Sequence, residues 1–546
     1  MKNTFSNIIL FSFFILHLPV ISFSQNVEIP WESCFGGSEF EYCIDVILSN
    51  NNYYVLSKTE SNNGDVTYNH GLTDLWLIKT DLDGNLLFEK CIGGSKGEGA
   101  SNLLKISDST FYIAGSTKSN DGDISYNPDT SSFNFWITKI DTLGNIIWDK
   151  VVGGSRHELT RDAIVTNDGG ILMMGLTHSD DGDISNYFGF YDVWMIKLNG
   201  QGENQWDFTL GGTGLEEAAS VIQTSDGGYM ISASTDGSGG GNYDTTCNYH
   251  DLPHGFQDVW IVKLDSLRNI EWQQCYGGLY HDGPGDTHEL NDGYIVVGNT
   301  TSNDGDVSGY HGYPGYENTE FDIWVFKIDF SGNLIWQKCL GGYYGDFSRN
   351  IFLTSDGGFM VVGRTTSNDG DVVGFHGEGT GLYGDIWLAK LSADGELQWQ
   401  YCYGGNGDER IYHGVIQKGD YNYVMAIETD TDPWQCGGIM YFDIRLFEID
   451  DTVTSISENG NGNFINNLIV TPNPATDLLK IIFSGQIGGD ELVLYNTSGQ
   501  EVKQIDVQSA RREYELDISG LPSGLYVVVL FDGGKVVDKQ KVVINH

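Results

Sequence analysis

The sequence predicts an all-β protein in which seven copies of a four-stranded unit close into a seven-bladed β-propeller, followed by a smaller β domain. Three observations predict this fold: a glycine pair repeats seven times, each copy has the same order of turns and apolar segments, and the two ends of the repeat are complementary. The pairs recur every 57 to 66 residues, at Gly36-Gly37, Gly93-Gly94, Gly153-Gly154, Gly211-Gly212, Gly277-Gly278, Gly341-Gly342 and Gly404-Gly405. Seven copies of this length are typical of a repeat architecture.

One copy, residues 329–391, shows the order of elements within the unit. Glycine-containing turns at 329–333 and 354–358 and a polar loop at 367–371 separate its apolar segments. Glycine accepts the positive φ that tight hairpin turns need, so these motifs favour antiparallel hairpins. The segments between them predict four short strands, at 334–340, 349–353, 359–363 and 385–391.

The predicted strands are apolar on both faces. In residues 192–198, Trp194 and Ile196 point to one side of the strand, while Val193 and Met195 point to the other. An antiparallel strand with one face in water would alternate apolar and polar residues. Each sheet is therefore predicted to be covered on both faces by the neighbouring copies.

The ends of the repeat predict a closed ring. The seventh copy stops at residues 443–450, with no partner strand after it, and the repeat begins with an unpaired strand at 29–35. An open stack would need polar caps at its ends. We therefore expect the first strand to complete the last sheet.

A tryptophan and a lysine recur in six copies, in the motif Asp-x-Trp-x-x-Lys. Residues present in nearly every blade are usually architectural, so we expect the tryptophan to pack between blades. The lysine is expected to lay its stem along the sheet and to keep its head in water. The pairs are Trp76/Lys79, Trp136/Lys139, Trp194/Lys197, Trp260/Lys263, Trp324/Lys327 and Trp387/Lys390.

Acidic residues far outnumber basic ones. The chain holds 75 Asp and Glu against 29 Lys and Arg, a formal net charge of −46. Such a charge repels phosphate backbones and argues against nucleic acid as a partner. It fits either a solvated acidic surface outside the cell or the recruitment of divalent cations.

Residues 1–24 have the pattern of a secretory signal peptide. Lys2 supplies the positive start, residues 8–21 are largely apolar, and Ser22 and Ser24 are the small residues that a signal peptidase reads. We expect cleavage near Gln25. No later segment offers about 18 consecutive apolar residues, so the mature protein is expected to be exported and not to be a transmembrane protein.

The composition changes after the repeat. Residues 452–467 are rich in Ser, Asn and Gly and predict a linker. It separates a propeller over residues 25–451 from a C-terminal domain over residues 468–546, which has alternating strands of its own, such as 491–495 and 524–530.

The C-terminal domain resembles the type A sorting domain of the type IX secretion system. The resemblance lies in Val470-Thr-Pro-Asn-Pro-Ala-Thr-Asp477, Leu494-Tyr-Asn-Thr-Ser-Gly-Gln500, Leu521-Pro-Ser-Gly-Leu-Tyr526 and the closing Lys541-Val-Val. It implies an immunoglobulin-like β-sandwich that brings the type IX machinery as a partner and carries cargo across the outer membrane. The cargo is then either released or attached to surface lipopolysaccharide, so the expected location is secreted or on the outer-membrane surface of a Gram-negative bacterium.

The propeller copies resemble a Gly- and Asp-rich β-propeller repeat of secreted bacterial proteins. The shared motifs are Asp-Gly-Gly-Tyr, as at 226–229, and Ser-Asn-Asp-Gly-Asp-Val, as at 302–307. This resemblance implies a fold and a location but no particular activity.

The repeated Asn-Asp-Gly-Asp loops are candidate calcium sites. Calcium prefers several oxygen ligands, and two carboxylates with turn carbonyls supply some of them. The alternative is an Asx-type turn with glycine at positive φ. The candidate ligands are Asp121, Asp123, Asp181, Asp183, Asp304, Asp306, Asp369 and Asp371.

Aromatic residues in the loops that break the repeat are candidate ligand contacts. Aromatic rings beside carboxylates and amides suit the face of a sugar or an extended polymer, although long loops also simply cover the end of a ring. The candidates are Tyr249, His250, Tyr310, Tyr313, Tyr316 and Tyr383. His70, His311 and His376 recur at equivalent places and are expected to stabilise turns.

The eight cysteines do not form the pattern of a disulfide framework. Five occupy one equivalent point of the repeat and are expected to be small core residues: Cys34, Cys91, Cys275, Cys339 and Cys402. Cys247 and Cys436 lie in irregular loops and could pair with each other.

Two functions remain open at this stage. The favoured one is a non-catalytic surface or secreted protein that binds or adheres to a glycan or surface polymer, with calcium as a candidate cofactor. The alternative is a secreted polysaccharide-active propeller enzyme with carboxylates near the pore. Glycosidase chemistry needs two carboxylates that converge within roughly 5–9.5 Å, so their positions distinguish the two functions.

Overall fold

The computed structural model describes two compact units, Ile29–Ile449 and Asp450–His546. In the first unit it describes residues 29–236, 257–312, 320–377, 381, 383–419, 422–430 and 442–449, and it also describes Asp450, the first residue of the second unit. In the second it describes residues 468–471, 475, 478–483, 491–496, 501–507, 512–522, 524–532 and 535–544. These residues form strands and turns, and within them there is no helix.

The first unit contains seven antiparallel sheets among its described residues, and in sheets 1 to 6 the strands pair in chain order. Sheet 1 consists of β2 (Glu41–Ser49), β3 (Asn52–Thr59), β4 (Asp74–Thr80) and β5 (Leu86–Ile92). Sheet 2 consists of β6 (Glu98–Ser107), β7 (Thr110–Thr117), β8 (Asn134–Asp141) and β9 (Ile146–Val152). Sheet 3 consists of β10 (Glu158–Val165), β11 (Ile171–Thr177), β12 (Asp192–Leu198) and β13 (Asn204–Leu210).

The remaining sheets repeat this order. Sheet 4 consists of β14 (Glu216–Gln223), β15 (Tyr229–Thr235), β16 (Asp258–Leu264) and β17 (Ile270–Tyr276). Sheet 5 consists of β18 (Asp282–Leu290), β19 (Gly293–Thr300), β20 (Asp322–Ile328) and β21 (Leu334–Leu340). Sheet 6 consists of β22 (Asp346–Leu353), β23 (Phe359–Thr365), β24 (Asp385–Leu391) and β25 (Leu397–Tyr403). Sheet 7 consists of β26 (Glu409–Arg410), β27 (Val415–Gly419), β28 (Asn422–Thr429), β29 (Asp443–Asp450) and β1 (Glu32–Phe35).

Successive sheets pack on one another in a circle. The first strands of sheets 1 to 6 contact each other in order, β24 contacts β26, and β27 and β28 contact β2. The circle therefore returns to its start, and the fold is a β-propeller with the first strand of each sheet nearest the centre.

The N-terminal strand closes the ring, as the sequence predicts. β1 pairs antiparallel with β29, from Glu32 opposite Phe447 to Phe35 opposite Ile444. The Trp31 indole N–H donates to Glu448 Oε2 at 2.8 Å. The last sheet is thus completed by residues from the other end of the repeat.

The repeated tryptophans form the core between sheets, as predicted. All six are fully buried, and Trp136 of sheet 2 lies in one cluster with Leu75 and Leu77 of sheet 1. Each indole N–H donates to a side-chain oxygen on the adjacent strand, which satisfies a buried donor. The acceptors are Glu89, Asp149, Asp207, Gln273, Gln337 and Gln400.

The repeated lysines correct one prediction, because three of their heads are not in water. The Lys197 side chain is 2% exposed, and its ammonium donates to both carboxylate oxygens of Asp168 at 3.0 Å. Lys263 and Lys390 make the equivalent contacts with Asp226 and Asp356. A buried ammonium needs a paired anion, and the aspartate of the Asp-Gly-Gly turn supplies it.

Two cysteines predicted to be core residues are disulfide-bonded, which corrects that prediction: Cys34 and Cys275. Four other cysteines are buried free thiols: Cys43, Cys91, Cys339 and Cys402. The remaining two, Cys247 and Cys436, lie outside the described residues, and so does their predicted pairing. Sheets 4 and 7, which hold the bonded residues, are the two sheets whose loop between second and third strands contains a cysteine in the sequence.

The second unit has two sheets around its own core. One has the order β30 (Leu468–Thr471), β31 (Leu478–Phe483) and β34 (Glu513–Asp517). The other has the order β33 (Glu501–Asp506), β32 (Glu491–Asn496), β35 (Gly524–Asp532) and β36 (Lys535–Ile544). Buried side chains from both sheets, such as Leu479 and Leu494, form a single cluster. Among the residues described for the whole chain, none belongs to a helix long and apolar enough to cross a membrane.

Candidate functional site

One end of the propeller collects the loops that vary between copies. In each antiparallel sheet the second and fourth strands run in the same direction, so the loop after the second and the connector after the fourth emerge at one edge. The Gly-Gly pairs lie in these connectors, and the Asn-Asp-Gly-Asp loops follow the second strands. We call this edge the loop end and the opposite edge the turn end.

Each Asn-Asp-Gly-Asp loop covers the glycine pair that precedes its sheet. In sheet 2, the Asp123 N–H donates to Gly93 O at 2.9 Å, and Asp123 Oδ2 accepts the Gly93 N–H at 3.1 Å. Asp121 Oδ1 accepts the Ser95 N–H at 2.8 Å. Gly122 has a φ of 66°, and a Cβ on it would collide with Gly93 O, so a glycine is required there.

The other three pairs of predicted calcium ligands make equivalent contacts. The first aspartate of each accepts a backbone N–H beyond the glycine pair, Asp181 from Ser155, Asp304 from Leu279 and Asp369 from Tyr343. Asp183 and Asp306 accept the N–H of Gly153 and Gly277. Asp371 donates its own N–H to Gly341 O at 2.8 Å.

These contacts make the acidic loops caps on the connector backbone. A carboxylate that accepts an N–H keeps further lone pairs, so capping does not exclude a cation. In the parts of the chain that the structure describes, no group of three or more His, Cys, Asp or Glu is placed to hold a metal ion. Calcium binding by the eight aspartates stays a prediction.

The three recurring histidines hold the carboxylate that begins the third strand, in agreement with the predicted turn-stabilising role. In His311 both the backbone N–H and ring Nδ1 bond to Asp322 Oδ2, at 2.8 and 2.7 Å. The hydrogen bond to Asp322 raises the pKa of His311. His70 and His376 make the same pair of contacts with Asp74 and Asp385.

The predicted aromatic contacts fall into three groups. The Tyr310 hydroxyl donates to the Glu320 carbonyl at 2.6 Å, so this side chain supports its loop. The Tyr383 side chain is 47% exposed at the loop end. The other four lie outside the described residues: Tyr249, His250, Tyr313 and Tyr316.

The loop end also carries exposed aromatic rings that sequence reasoning missed. They belong to loops after second strands or to a connector, and their exposed fractions lie between 47% and 65%: Tyr68, Tyr126, Phe190 and Tyr343. Tyr68, Phe190 and Tyr343 each meet a neighbouring ring edge-on, with centroids 4.8 to 5.2 Å apart, and still leave about half of their surface open to solvent. The signal available in the sequence was an aromatic residue in the loop of successive copies.

A pocket of about 210 Å³ lies at the loop end between sheets 1 and 2. Tyr68 forms one wall and meets His70 edge-on, with ring centroids 4.8 Å apart. Glu89 and Asp123 supply carboxylates, whereas the Lys90 ammonium donates to Gly144 O at the turn end and is not directed at the pocket. An aromatic wall beside charged and hydrogen-bonding groups is suited to a polar ligand with an apolar face.

The central channel carries a ring of polar residues that sequence reasoning also missed. They occupy the fifth position of the segment that begins each sheet: Asp45, Asn102, Asp162, Ser220, Asp286, Asn350 and His413. In sheets 1 to 6 a register shift lies at this position, and such bulges re-aim side chains. The sequence signal was a polar residue in this column of an otherwise apolar segment.

The channel carboxylates join neighbouring sheets. Asp45 Oδ2 accepts the Leu103 N–H of the next sheet at 2.8 Å. Asp162 Oδ2 likewise accepts the Val221 N–H at 2.8 Å. Asp286 and Ile351 repeat the bond at 3.2 Å, and the His413 N–H donates to Ile44 O where sheet 7 meets sheet 1.

Burial and charge set different protonation states in the channel. Burial raises the pKa of Asp45 to about 8, and burial also raises the pKa of Asp162. Burial alone would raise the pKa of Asp286, but the His288 imidazole, 3.2 Å away, outweighs it and lowers that pKa. The channel thus holds both a neutral and an ionised carboxyl group near neutral pH.

Residues 470–545 match the family described as Secretion system C-terminal sorting domain. The identification of a type IX sorting domain at the C-terminus is confirmed. Proteins sorted in this way are secreted or attached to the cell surface of Bacteroidetes. This protein is therefore secreted or displayed on the cell surface, and its C-terminal domain interacts with the type IX machinery.

Solved structures similar to this chain are remote in sequence. Pyrococcus horikoshii acylaminoacyl peptidase is 13% identical with a TM-score of 0.37, over 83% of this chain and 59% of the peptidase. The Neurospora crassa Pan2 WD40 domain is 10% identical with a TM-score of 0.41, over 76% of this chain and 90% of that domain. The β-propeller domain of the Pyrococcus furiosus Trilobed protease is 10% identical with a TM-score of 0.36, over 76% of this chain and 97% of that domain. Among curated proteins, none matches this sequence.

Proposed function

We propose that residues 25–451 form a seven-bladed β-propeller that acts outside the cell as a non-catalytic binding or adhesion module, and that its loop end binds a glycan or surface polymer. The exposed aromatic rings of the loop end carry this proposal. Rings such as Tyr68 and Tyr383 leave about half of their surface open to solvent, and the carboxylates of Glu89 and Asp123 lie beside Tyr68. This combination suits carbohydrate, which presents apolar faces and hydroxyl groups together.

The channel carboxylates favour binding over catalysis. An acid/base pair must reach the substrate with a free oxygen or proton. Asp45 and Asp162 instead accept the backbone N–H of their own following residue as well as that of the next sheet. These bonds support a structural role for the channel ring. The enzyme alternative depends on the carboxylates of this ring.

Export and architecture complete the proposal. Residues 1–24 are a signal peptide, residues 452–467 are a linker, and residues 468–546 fold as an immunoglobulin-like sandwich. The two sheets around one core in the second unit support the sandwich. The division into units near Asp450 supports the boundary.

A glycan array tests the binding proposal. The full-length protein is applied in calcium buffer and in chelator, together with Tyr68→Ala and Tyr383→Ala variants. Loss of a stacked ring is expected to weaken binding by about tenfold, corresponding to about 1.4 kcal/mol. A loss of binding in chelator would support the predicted calcium sites.

A matched control separates the loop end from general damage. Phe330 is 47% exposed, the same fraction as Tyr383, but it lies in the turn between β20 and β21 at the turn end. Phe330→Ala is expected to bind like the wild type. Failure to bind any glycan, or equal effects of all three variants, would contradict the proposal, and cleavage of an arrayed glycan would favour the enzyme alternative.

A further inference from the structure

A belt of buried acidic residues runs around the propeller beneath the glycine pairs. In every sheet a carboxylic residue begins the first strand, a threonine ends the second, and Asp or Asn begins the third. Cross-strand pairing places the three side by side. The sets, all buried, are Glu41/Thr59/Asp74, Glu98/Thr117/Asn134, Glu158/Thr177/Asp192, Glu216/Thr235/Asp258, Asp282/Thr300/Asp322, Asp346/Thr365/Asp385 and Glu409/Thr429/Asp443.

Across each junction between sheets, the third-strand residue faces the first-strand acid of the next sheet. The first glycine of the pair lies between them. A Cβ on Gly93 would lie 2.8 Å from Asp74 Oδ1 and 2.7 Å from Glu98 Oε2. A Cβ on Gly341 would lie 2.9 Å from Asp322 Oδ1 and 2.6 Å from Asp346 Oδ2. The two oxygens at each junction therefore approach each other around one glycine.

At three junctions a histidine bonds to the third-strand aspartate, His70 to Asp74, His311 to Asp322 and His376 to Asp385. The junction between sheets 3 and 4 shows a pair that has no such histidine among the described residues. Asp192 Oδ2 accepts the Phe188 N–H at 2.6 Å, and Glu216 Oε2 accepts the Gly212 N–H at 2.9 Å. Asp192 Oδ1 is buried and has no donor among the described residues. Thr235 donates to the other oxygen of Glu216.

Among the described residues, the other titratable groups near this pair do not neutralise it. Tyr187, in the loop before β12, interacts with Asp192, and Asp236, after β15, interacts with Glu216. Arg156 lies near Tyr187, and in the described part of the chain it does not act on the pKa of either carboxyl group. Two ionised carboxylates would thus face each other in a buried site, which is strongly unfavourable.

The junction between sheets 2 and 3 shows which of the two facing groups carries the proton and donates the hydrogen bond. Asn134 replaces the aspartate there, and its amide donates to Asn127 Oδ1 at 3.1 Å and Asp129 O at 2.9 Å. Its Oδ1, which can only accept, is therefore left to face Glu158 Oε2 across Gly153. A hydrogen bond between them requires a proton on Glu158.

We propose that these blade junctions are buried proton-binding sites, in which the first-strand carboxyl group is protonated at neutral pH and donates to the facing oxygen of the preceding sheet. Each proton forms a hydrogen bond between two neighbouring sheets. The propeller is therefore more stable to unfolding in mildly acidic medium than in alkaline medium. The proposal is independent of the ligand of the loop end.

The directions of the pKa values agree with this geometry. Burial raises the pKa of Glu216 to about 7 and that of Asp192 to about 6. Burial likewise raises the pKa values of Asp282 and Asp346, each to about 7. Because the folded values exceed those of the unfolded chain, near 4, the stability that these protons supply is complete below about pH 4 and is lost as the pH rises through and above about 7.

Thermal unfolding of the full-length chain at pH 5 and pH 8 tests the proposal. In Asp192→Asn, the amide oxygen takes the Phe188 N–H and the amide nitrogen donates to an ionised Glu216, so no proton is needed. We expect its Tm to exceed that of the wild type at pH 8 by about 2 °C and to equal it at pH 5. Asp207→Asn, on the same sheet but with no facing acid, is expected to show no such pH-dependent gain.

A second variant keeps the proposal testable if Asp192→Asn folds poorly. Infrared difference spectra of wild type against Glu216→Gln at pH 6 are expected to show the loss of a protonated carboxyl stretch, because the variant lacks the group that holds the proton. Absence of that band would overturn the proposal. So would a Tm at pH 8 that falls in Asp192→Asn and falls in wild type on adding chelator, because a bound cation would then bridge the carboxylates.

Discussion

The first glycine of each pair illustrates how one residue can serve two neighbours. Gly93 joins sheets 1 and 2 and lies against the carboxyl groups of Asp74 and Glu98. Its backbone does not have the left-handed φ that usually explains a glycine. Space, rather than backbone conformation, therefore requires glycine at this position.

A substitution at this glycine is expected to destabilise the propeller. Gly93→Ala would place a methyl group within 3 Å of two buried carboxyl oxygens, and overpacking of this kind costs about 2 kcal/mol in the free energy of unfolding. Gly99→Ala is the control, because a Cβ there meets nothing within 4 Å. Equal denaturation midpoints for the two variants would contradict the steric explanation.

Sequence reasoning identified residue types more reliably than their surroundings. The tryptophans were predicted to pack between blades and do so, because an indole in an apolar strand has few other places to go. The heads of Lys197 and Lys263 were predicted to lie in water and are buried instead. Their partners, Asp168 and Asp226, lie in turns about thirty residues or more away, and spacing alone does not show that a turn folds over a strand.

Among the strands, β1 is short but has a large effect on the fold, because it completes the last sheet of the ring. Four residues pair with β29, and without them that strand would present an unpaired edge to solvent. Phe35 packs in the cluster shared by sheets 1 and 7, and Trp31 lies against it. The N-terminal segment therefore stabilises the interface that completes the ring.

Removal of β1 is expected to open the ring. A chain that begins at Gly36 should melt at least about 5 °C lower than one that begins at Ile29, which keeps the strand. It should also self-associate through the exposed edge of β29, as seen by light scattering. Unchanged melting and a monomeric state in the shorter chain would show that the closure contributes little.

Within the loops, the sequence predicted the turns but did not decide whether the acidic residues bind calcium. The Asn-Asp-Gly-Asp motif was assigned either to a calcium site or to a turn, and Asp121 and Asp123 bind the backbone of the connector. The motif alone could not show this, since its partner is the glycine pair of the preceding connector. The exposed rings of Tyr68 and Tyr126 were missed because exposure depends on how loops of neighbouring sheets fit together.

At the scale of the whole molecule, two units have separate cores and separate tasks. The clusters of the propeller and the cluster of the second unit share no residue. The second unit contains the sorting domain over residues 470–545. Folding of the first unit is therefore expected not to depend on the presence of the second.

Deletion of residues 468–546 is expected to abolish export while leaving the propeller folded. The truncated chain should remain inside the cell by fractionation, and its purified form should melt within about 2 °C of the propeller transition of the full chain. A chain in which residues 452–467 are replaced by a Gly/Ser linker of equal length is the control and should be exported. Export of the truncated chain would contradict the assigned role of the sorting domain.

The sequence by itself determined the all-β class, the order of strands in each copy, the strand that completes the last sheet and the C-terminal sorting domain. Each of these depends on local spacing, because turns, alternation and motifs are read within a few residues. Only the tertiary structure decided that Asp74 faces Glu98, that Asp162 bonds to Val221 and that Cys34 is in a disulfide. The repeat gives all copies similar local patterns, so the contacts between copies depend on how sheets stack, which no single copy specifies.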